Sequence, residues 1–168
     1  MPEQITKERL KSFYESCIYA QKLELQLEDF RKQYNALQAV DLTHTKVING
    51  DAKPHSPQEK YLQTIENKSR KLSVVKSKID SERIIILQQI QRLKKPEYRD
   101  ILTERYIQLK GWKQISFEYF GNEKDYWTYR ESRYHFIVMT WHKRAVKELE
   151  AISKTPFVLN EAEQVALW

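Results

Sequence analysis

The chain has 168 residues, of which 40% are apolar and 31% charged, with a formal net charge of +6 and a sequence pI of about 9.2. It contains only 3 glycines and 5 prolines, too few for the tight turns of an all-β fold, and its apolar content is too high for a wholly disordered chain. The positive charge favours a polyanion such as DNA or RNA, or an acidic protein, and the single cysteine, Cys17, excludes an intrachain disulfide.

From about Pro2 to Val40 there is neither a glycine nor a second proline. Phe13, Cys17, Ala20, Leu23, Leu27, Phe30, Tyr34 and Leu37 recur at steps of three and four, with Glu, Lys, Gln and Arg between them. That spacing predicts one continuous helix with an apolar stripe, in which Cys17 is a packing residue. Such a helix extends about 50 Å at 1.5 Å per residue, so it needs a partner helix. A polar connection, DLTHTKVINGDAKPH from Asp41 to His55, separates it from that partner. Ser56-Pro57-Gln58-Glu59 is a helix start: Ser56 caps, Pro57 suits the first helical position, and Glu59 completes a capping box. The second helix is expected to run to about Leu93, burying Ile65, Leu72, Val75, Ile79, Ile86, Ile90 and Leu93. The run Ile84-Ile85-Ile86-Leu87 is apolar on more than one side and predicts burial by more than one neighbour. Lys68, Arg70, Lys71, Lys76 and Lys78 read as a solvated basic face. The two helices predict an antiparallel, coiled-coil-like hairpin, and the stripe leaves open pairing within one chain or as a homo-oligomer.

Lys94-Lys95-Pro96 marks a boundary, and Pro96, Glu97 and Asp100 suit the start of a helix from about Pro96 to Leu109. That helix would bury Ile101, Leu102, Tyr106 and Leu109, with Gly111 in the left-handed conformation closing it. A helix from about Trp112 to Phe120 follows, burying Trp112, Ile115 and Tyr119 or Phe120 and ended by Gly121. After the polar loop Asn122–Asp125, a long last helix reaches about Ile152. Its inward stripe is Tyr134, Ile137, Val138, Trp141, Ala145, Leu149 and Ile152. The expected fold class is therefore all-α: a hairpin over residues 1–94, a helix-turn-helix module with a long last helix over 95–152, and a tail over 153–168.

No phosphate-cradling glycine loop, nucleophile elbow or paired-carboxylate signature is present, so no enzymatic activity and no cofactor are expected. His44, His55, His135 and His142 do not combine with cysteine at metal-ligand spacing, so no metal is expected either. No apolar run approaches membrane-spanning length and the N-terminus has no signal-peptide core, which points to a cytoplasmic protein without a membrane partner. A helix-turn-helix reads DNA by presenting basic and polar side chains from one supported helix. The face of the last helix away from its core stripe offers Arg130, Ser132, Arg133, His135, Phe136, Met139 and Lys143.

Two stretches, Tyr98–Ile107 (YRDILTERYI) and Gly111–Ser116 (GWKQIS), resemble region four of bacterial sigma factors. The segment Arg144-Ala145-Val146-Lys147-Glu148-Leu149 is similar to the end of that family's recognition helix. With its helical N-terminal half and polar linker, the chain resembles phage late-transcription regulators of the ArpU/RinA type over about residues 10 to 150. The resemblance implies sequence-specific binding of double-stranded DNA, activation of late genes and contact with host RNA polymerase. On that reading Arg133, His135, Phe136 and Lys143 contact DNA, while Lys110, Lys113 and Arg130 touch phosphate. Val138 lies 23 positions after Ile115, further than in the family's module. The extra segment, roughly Gly121 to Ser132, lengthens the turn or extends the recognition helix. Ser116 stands where the family has alanine. Two other classes fit the same elements: a small terminase-like DNA-packaging subunit, and a helical interaction protein or inhibitor that binds a host protein.

Overall fold

A computed structural model describes residues 4–41 and 57–154. The polar connection with His44 and His55, the Ser56 cap and the tail beyond Lys154 lie outside the described residues. Among the described residues every regular element is helical. These are α1 (Lys7–Asp41), α2 (Pro57–Gln91), α3 (Pro96–Leu102), α4 (Trp112–Phe120), α5 (Tyr126–Tyr129) and α6 (His135–Ser153), with π-helical turns at Thr103–Ile107 and Arg130–Tyr134. Helices α1 and α2 pack against each other as the predicted hairpin, and the C-terminal helices form the predicted all-α module. No helix among them is long and apolar enough to cross a membrane.

The chain divides into two compact units, Glu15–Asp80 and a second made of Met1–Tyr14 with Ser81–Trp168. The first turns of α1 and the last turns of α2 thus group with the C-terminal helices, whereas the sequence division at 94/95 assigns them to the hairpin. Within the Glu15–Asp80 unit, Cys17, Ala20, Leu23 and Leu27 of α1 and Leu72 and Ile79 of α2 are buried. Phe30, Tyr34, Leu37, Ile65 and Val75 are only half-buried, because a single partner helix covers each stripe from one side. The basic segment is more engaged than a solvated face. Lys68 donates to Gln26 (2.9 Å) and sits 5.2 Å from the Phe30 ring centre, Lys71 lies over Tyr19, and Lys76 pairs with Glu24.

The second unit is held together across its extremes of sequence. Thr6 Oγ1 accepts from the Arg9 N–H (3.2 Å), which caps α1. The Glu150 carboxylate accepts the Lys7 N–H at 2.8 Å, and Ser153 Oγ accepts the Ile5 N–H at 3.1 Å. Arg9 grips Glu82 through two hydrogen bonds. Ile5, Leu10, Ile86, Ile90, Ile101, Leu102, Ile115, Val138 and Leu149 form a core with no measurable exposure. In the run Ile84–Leu87 only Ile86 is buried and Ile84 is 58% exposed, so the run is covered from one side and its flanks.

Pro96 opens α3 as predicted, with Lys95 extended before it (φ −85°, ψ 121°) as proline requires. The helix does not continue regularly to Leu109. It widens into the π-turn Thr103–Ile107, and the residue in the left-handed region is Leu109 (φ 58°). Gly111, expected in that role, is extended (φ −72°, ψ 151°) and precedes α4. The wider turn brings the chain reversal forward, and the Lys110 N–H donates back to the Glu104 carbonyl at 3.0 Å.

Gly121 does end α4, for a steric reason. A Cβ there would lie 2.5 Å from the Phe117 carbonyl oxygen and 2.8 Å from its ring, whereas one at Gly111 meets nothing within 4 Å. Gly121→Ala is therefore expected to cost about 1–3 kcal/mol. Gly111→Ala should stabilise by about 0.4–1 kcal/mol through the unfolded state. Urea denaturation of the two variants checks this, and the opposite ranking would contradict the hinge assignment.

Candidate nucleic-acid interface

Helix α6 packs against α3 and α4 and turns Val138, His142, Ala145, Val146, Leu149 and Ser153 inward. Of its predicted stripe, Tyr134, Val138, Ala145 and Leu149 are buried, while Ile137, Trp141 and Ile152 are half-buried. The segment Gly121–Ser132 does two things. Gly121–Asp125 lengthens the turn, and Tyr126 onward forms α5 and the second π-turn, which lead directly into α6. Tyr126 is 1% exposed and anchors this extension 5.5 Å from the Tyr134 ring. Phe120 lies 5.0 Å from Tyr134 and 5.7 Å from Trp141. Asp125 ties the turn down by accepting from Tyr134 and pairing with Arg133.

Beneath α6 lies a polar–aromatic layer joining α1, the first π-turn and α4. The Arg105 guanidinium sits 4.1 Å from the Tyr14 ring centre and 4.5 Å from that of Trp112. Its Nη1 donates to Tyr14 Oη at 3.1 Å and to the Lys110 carbonyl at 2.8 Å, locking the hinge. His142 Nε2 lies 3.0 Å from Tyr106 Oη, and its ring meets Trp112 edge-on at 4.7 Å. Burial pushes the His142 pKa down to about 4, with smaller contributions from Arg105, Lys7 and Lys143. Burial likewise raises the Tyr106 phenol. In the neutral tautomer protonated at Nδ1, the imidazole accepts the Tyr106 O–H through Nε2. Trp112, Tyr119 and Phe120 are half-buried, so Ile115 and the unpredicted Ser116 are the fully covered residues of α4. Among the described residues, Ser116 Oγ and Tyr126 Oη have no hydrogen-bond partner. Ser116 is fully buried, which suits a small side chain.

The seven residues expected at DNA do not form one surface of free cations. Lys110 is 20% exposed and its ammonium is shared by Glu118 and Glu104, and the hydrogen bond to Glu118 raises its pKa. Lys113 lies 3.7 Å and Arg130 3.3 Å from the same Glu131 carboxylate, and Arg133 is 3.0 Å from Asp125. His135 is half-buried. Phe136 is 66% exposed, and Lys143 is exposed too. Phe136, Thr140, Lys143 and Lys147 follow a helical i, i+4, i+7, i+11 spacing on the side of α6 away from its core, with exposed Arg144 beside them. Lys143, Arg144 and Lys147 take part in no ion pair among the described residues, unlike the cations of α4 and the second π-turn. Arg144 and Lys147 were not among the expected contacts, although that spacing marks Lys147 in the sequence.

A second exposed feature is aromatic. Phe117 is 49% and Trp127 69% exposed, with ring centres 5.9 Å apart, and Arg130 lies 5.9 Å from the Trp127 ring. Among the described residues no cluster of three or more His, Cys, Asp or Glu side chains is assembled that could hold a metal. No family model, curated protein or solved structure matches the chain.

Proposed function

We propose that this protein is a sequence-specific DNA-binding regulator of transcription, of the kind represented by phage late-gene activators, and that α6 is its reading helix. The observation that carries the reading is the outward face of α6. Lys143, Arg144 and Lys147 are exposed without acid partners among the described residues, and Phe136 and Thr140 stand beside them. A helix supported by two others and presenting cations, a hydroxyl and an apolar ring suits phosphate contact and base readout together. The similarity of Tyr98–Ile107 and Gly111–Ser116 to sigma region four supports the same assignment, and supplies host RNA polymerase as the expected protein contact.

The reading separates Lys143 from Lys110. Lys143→Ala is expected to leave thermal stability unchanged, weaken duplex binding and lower the salt slope by about one unit. Lys110→Ala should leave the slope unchanged, because its ammonium already serves two carboxylates. Binding titrations between 50 and 200 mM salt measure both slopes. Function itself is tested by selecting bound fragments from the genome that encodes the protein and footprinting the product. A discrete protected site upstream of an operon is the expected result, and absence of enrichment at any site sinks the reading.

A protein-docking role is the second reading, favoured by the exposed Phe117–Trp127 pair and by carboxylates that neutralise neighbouring cations. It predicts that Trp127→Glu abolishes association with purified RNA polymerase while duplex binding, if any, is untouched.

A further inference from the structure

A cleft of about 500 Å³ opens beside α6, lined by Lys94, Lys95, Glu97, Tyr98, Trp141 and Arg144. Three cations and one carboxylate line it. None of the three takes part in an ion pair among the described residues. The Lys95 ammonium instead rests 5.0 Å from the ring centre of the buried Tyr98, which positions it without neutralising it. Trp141 is fixed from behind by Tyr119 (5.8 Å) and Phe120 (5.7 Å), so the cleft has a rigid aromatic wall. A concave, partly apolar surface strengthens the field of the cations within it, because fewer waters screen them. Arg144 can present two parallel N–H donors to a tetrahedral oxyanion, and the lysines can close on its remaining oxygens.

We infer that this cleft seats a phosphate group, namely a backbone phosphate of the duplex read by α6. The duplex is favoured over a free phosphorylated ligand by continuity: Arg144 belongs both to the cleft and to the cationic face that runs on through Lys143 and Lys147. The cleft thereby clamps the strand next to the groove that α6 enters, with Lys94, Lys95 and Arg144 as its phosphate anchors beside Lys143. Lys110, Lys113 and Arg130, already engaged by carboxylates, are not the anchors. This inference rests on the DNA-binding reading above.

The test uses the full chain with Lys95→Ala, Arg144→Ala and the double variant, whose circular dichroism and melting should match wild type because both side chains are exposed. Each single variant should lose about tenfold in duplex affinity near 0.1 M salt, equally on specific and random sequences, and about 0.9 from the salt slope. The double variant should lose about twice that slope. Acetylation of Lys94 and Lys95 in the wild-type protein, read by mass spectrometry, should be suppressed by duplex, a measurement independent of any variant's folding. Wild-type duplex binding with unchanged slope in the double variant and no protection of the lysines overturns the cleft assignment alone. Saturable binding of inorganic phosphate or ATP that the double variant loses, with its duplex slope intact, overturns it in favour of a free ligand. Failure of the wild type to bind any duplex at 50 mM salt overturns the DNA-binding reading and the cleft assignment together.

Discussion

Arg105→Ala is expected to lower folding stability by about 3 kcal/mol, more than any single surface ion pair in the molecule could account for. The guanidinium is stacked between Tyr14 and Trp112 and donates to Tyr14 Oη and the Lys110 carbonyl. Truncation removes two ring contacts worth about 0.5–2 kcal/mol each and strands two part-buried acceptors. Arg105→Lys should recover less than half of the loss, because an ammonium keeps the charge but cannot lie flat on two rings or span both acceptors. Equilibrium denaturation of the two variants decides the matter. Wild-type stability in Arg105→Lys would show that charge alone, and not the planar stack, closes the hinge.

Acid should weaken the fold through His142. The ring takes a proton near pH 6.5 in the unfolded chain but only near pH 4 in the folded one. Between those values the unfolded state binds more protons, so stability rises with pH. The His142 contribution is complete above about pH 6.5 and lost as pH falls through 4, amounting to about 3 kcal/mol. Protonation would also turn Nε2 into a donor, requiring Tyr106 to reorient its hydroxyl, and would place a cation near Arg105, Lys7 and Lys143. His142→Gln keeps a polar partner for Tyr106 and removes the titration. Its unfolding free energy, measured in denaturant from pH 4 to 8, should rise less steeply with pH than that of wild type. Parallel curves would place the acid sensitivity elsewhere.

The elements themselves were legible in the sequence because they rest on local spacing. Phe13, Cys17, Ala20, Leu23 and Leu27 announce α1 by steps of three and four, and Pro57 and Pro96 open α2 and α3 where a missing N–H does no harm. What escaped depends on partners distant in sequence or on small departures from regular geometry. Tyr14 and Arg105 meet across 91 positions, and no periodicity in either helix foretells that contact. The π-turn at Thr103–Ile107 moves the left-handed residue to Leu109, where side-chain chemistry alone would favour Gly111. The candidate site was half legible for a related reason. The exposure of Phe136 and Lys143 follows from the face of one helix, but a cation's availability depends on which carboxylates the fold brings near it. Glu118 and Glu131 engage Lys110, Lys113 and Arg130, while Lys94, Lys95 and Arg144 are left to face a shared cleft.

The anchoring of α1 by Glu150 and Ser153 also sets an order of assembly. The Ser153 and Glu150 groups that take the Ile5 and Lys7 N–H donors lie 148 and 143 positions further along the chain, so they are made long after them. The Glu15–Asp80 helices have their own buried stripe and are complete long before α6 leaves the ribosome. Ile5 and Lys7 therefore wait for α6 before their N–H groups are satisfied, and closing the unit that holds them is the long-range, late step of its folding.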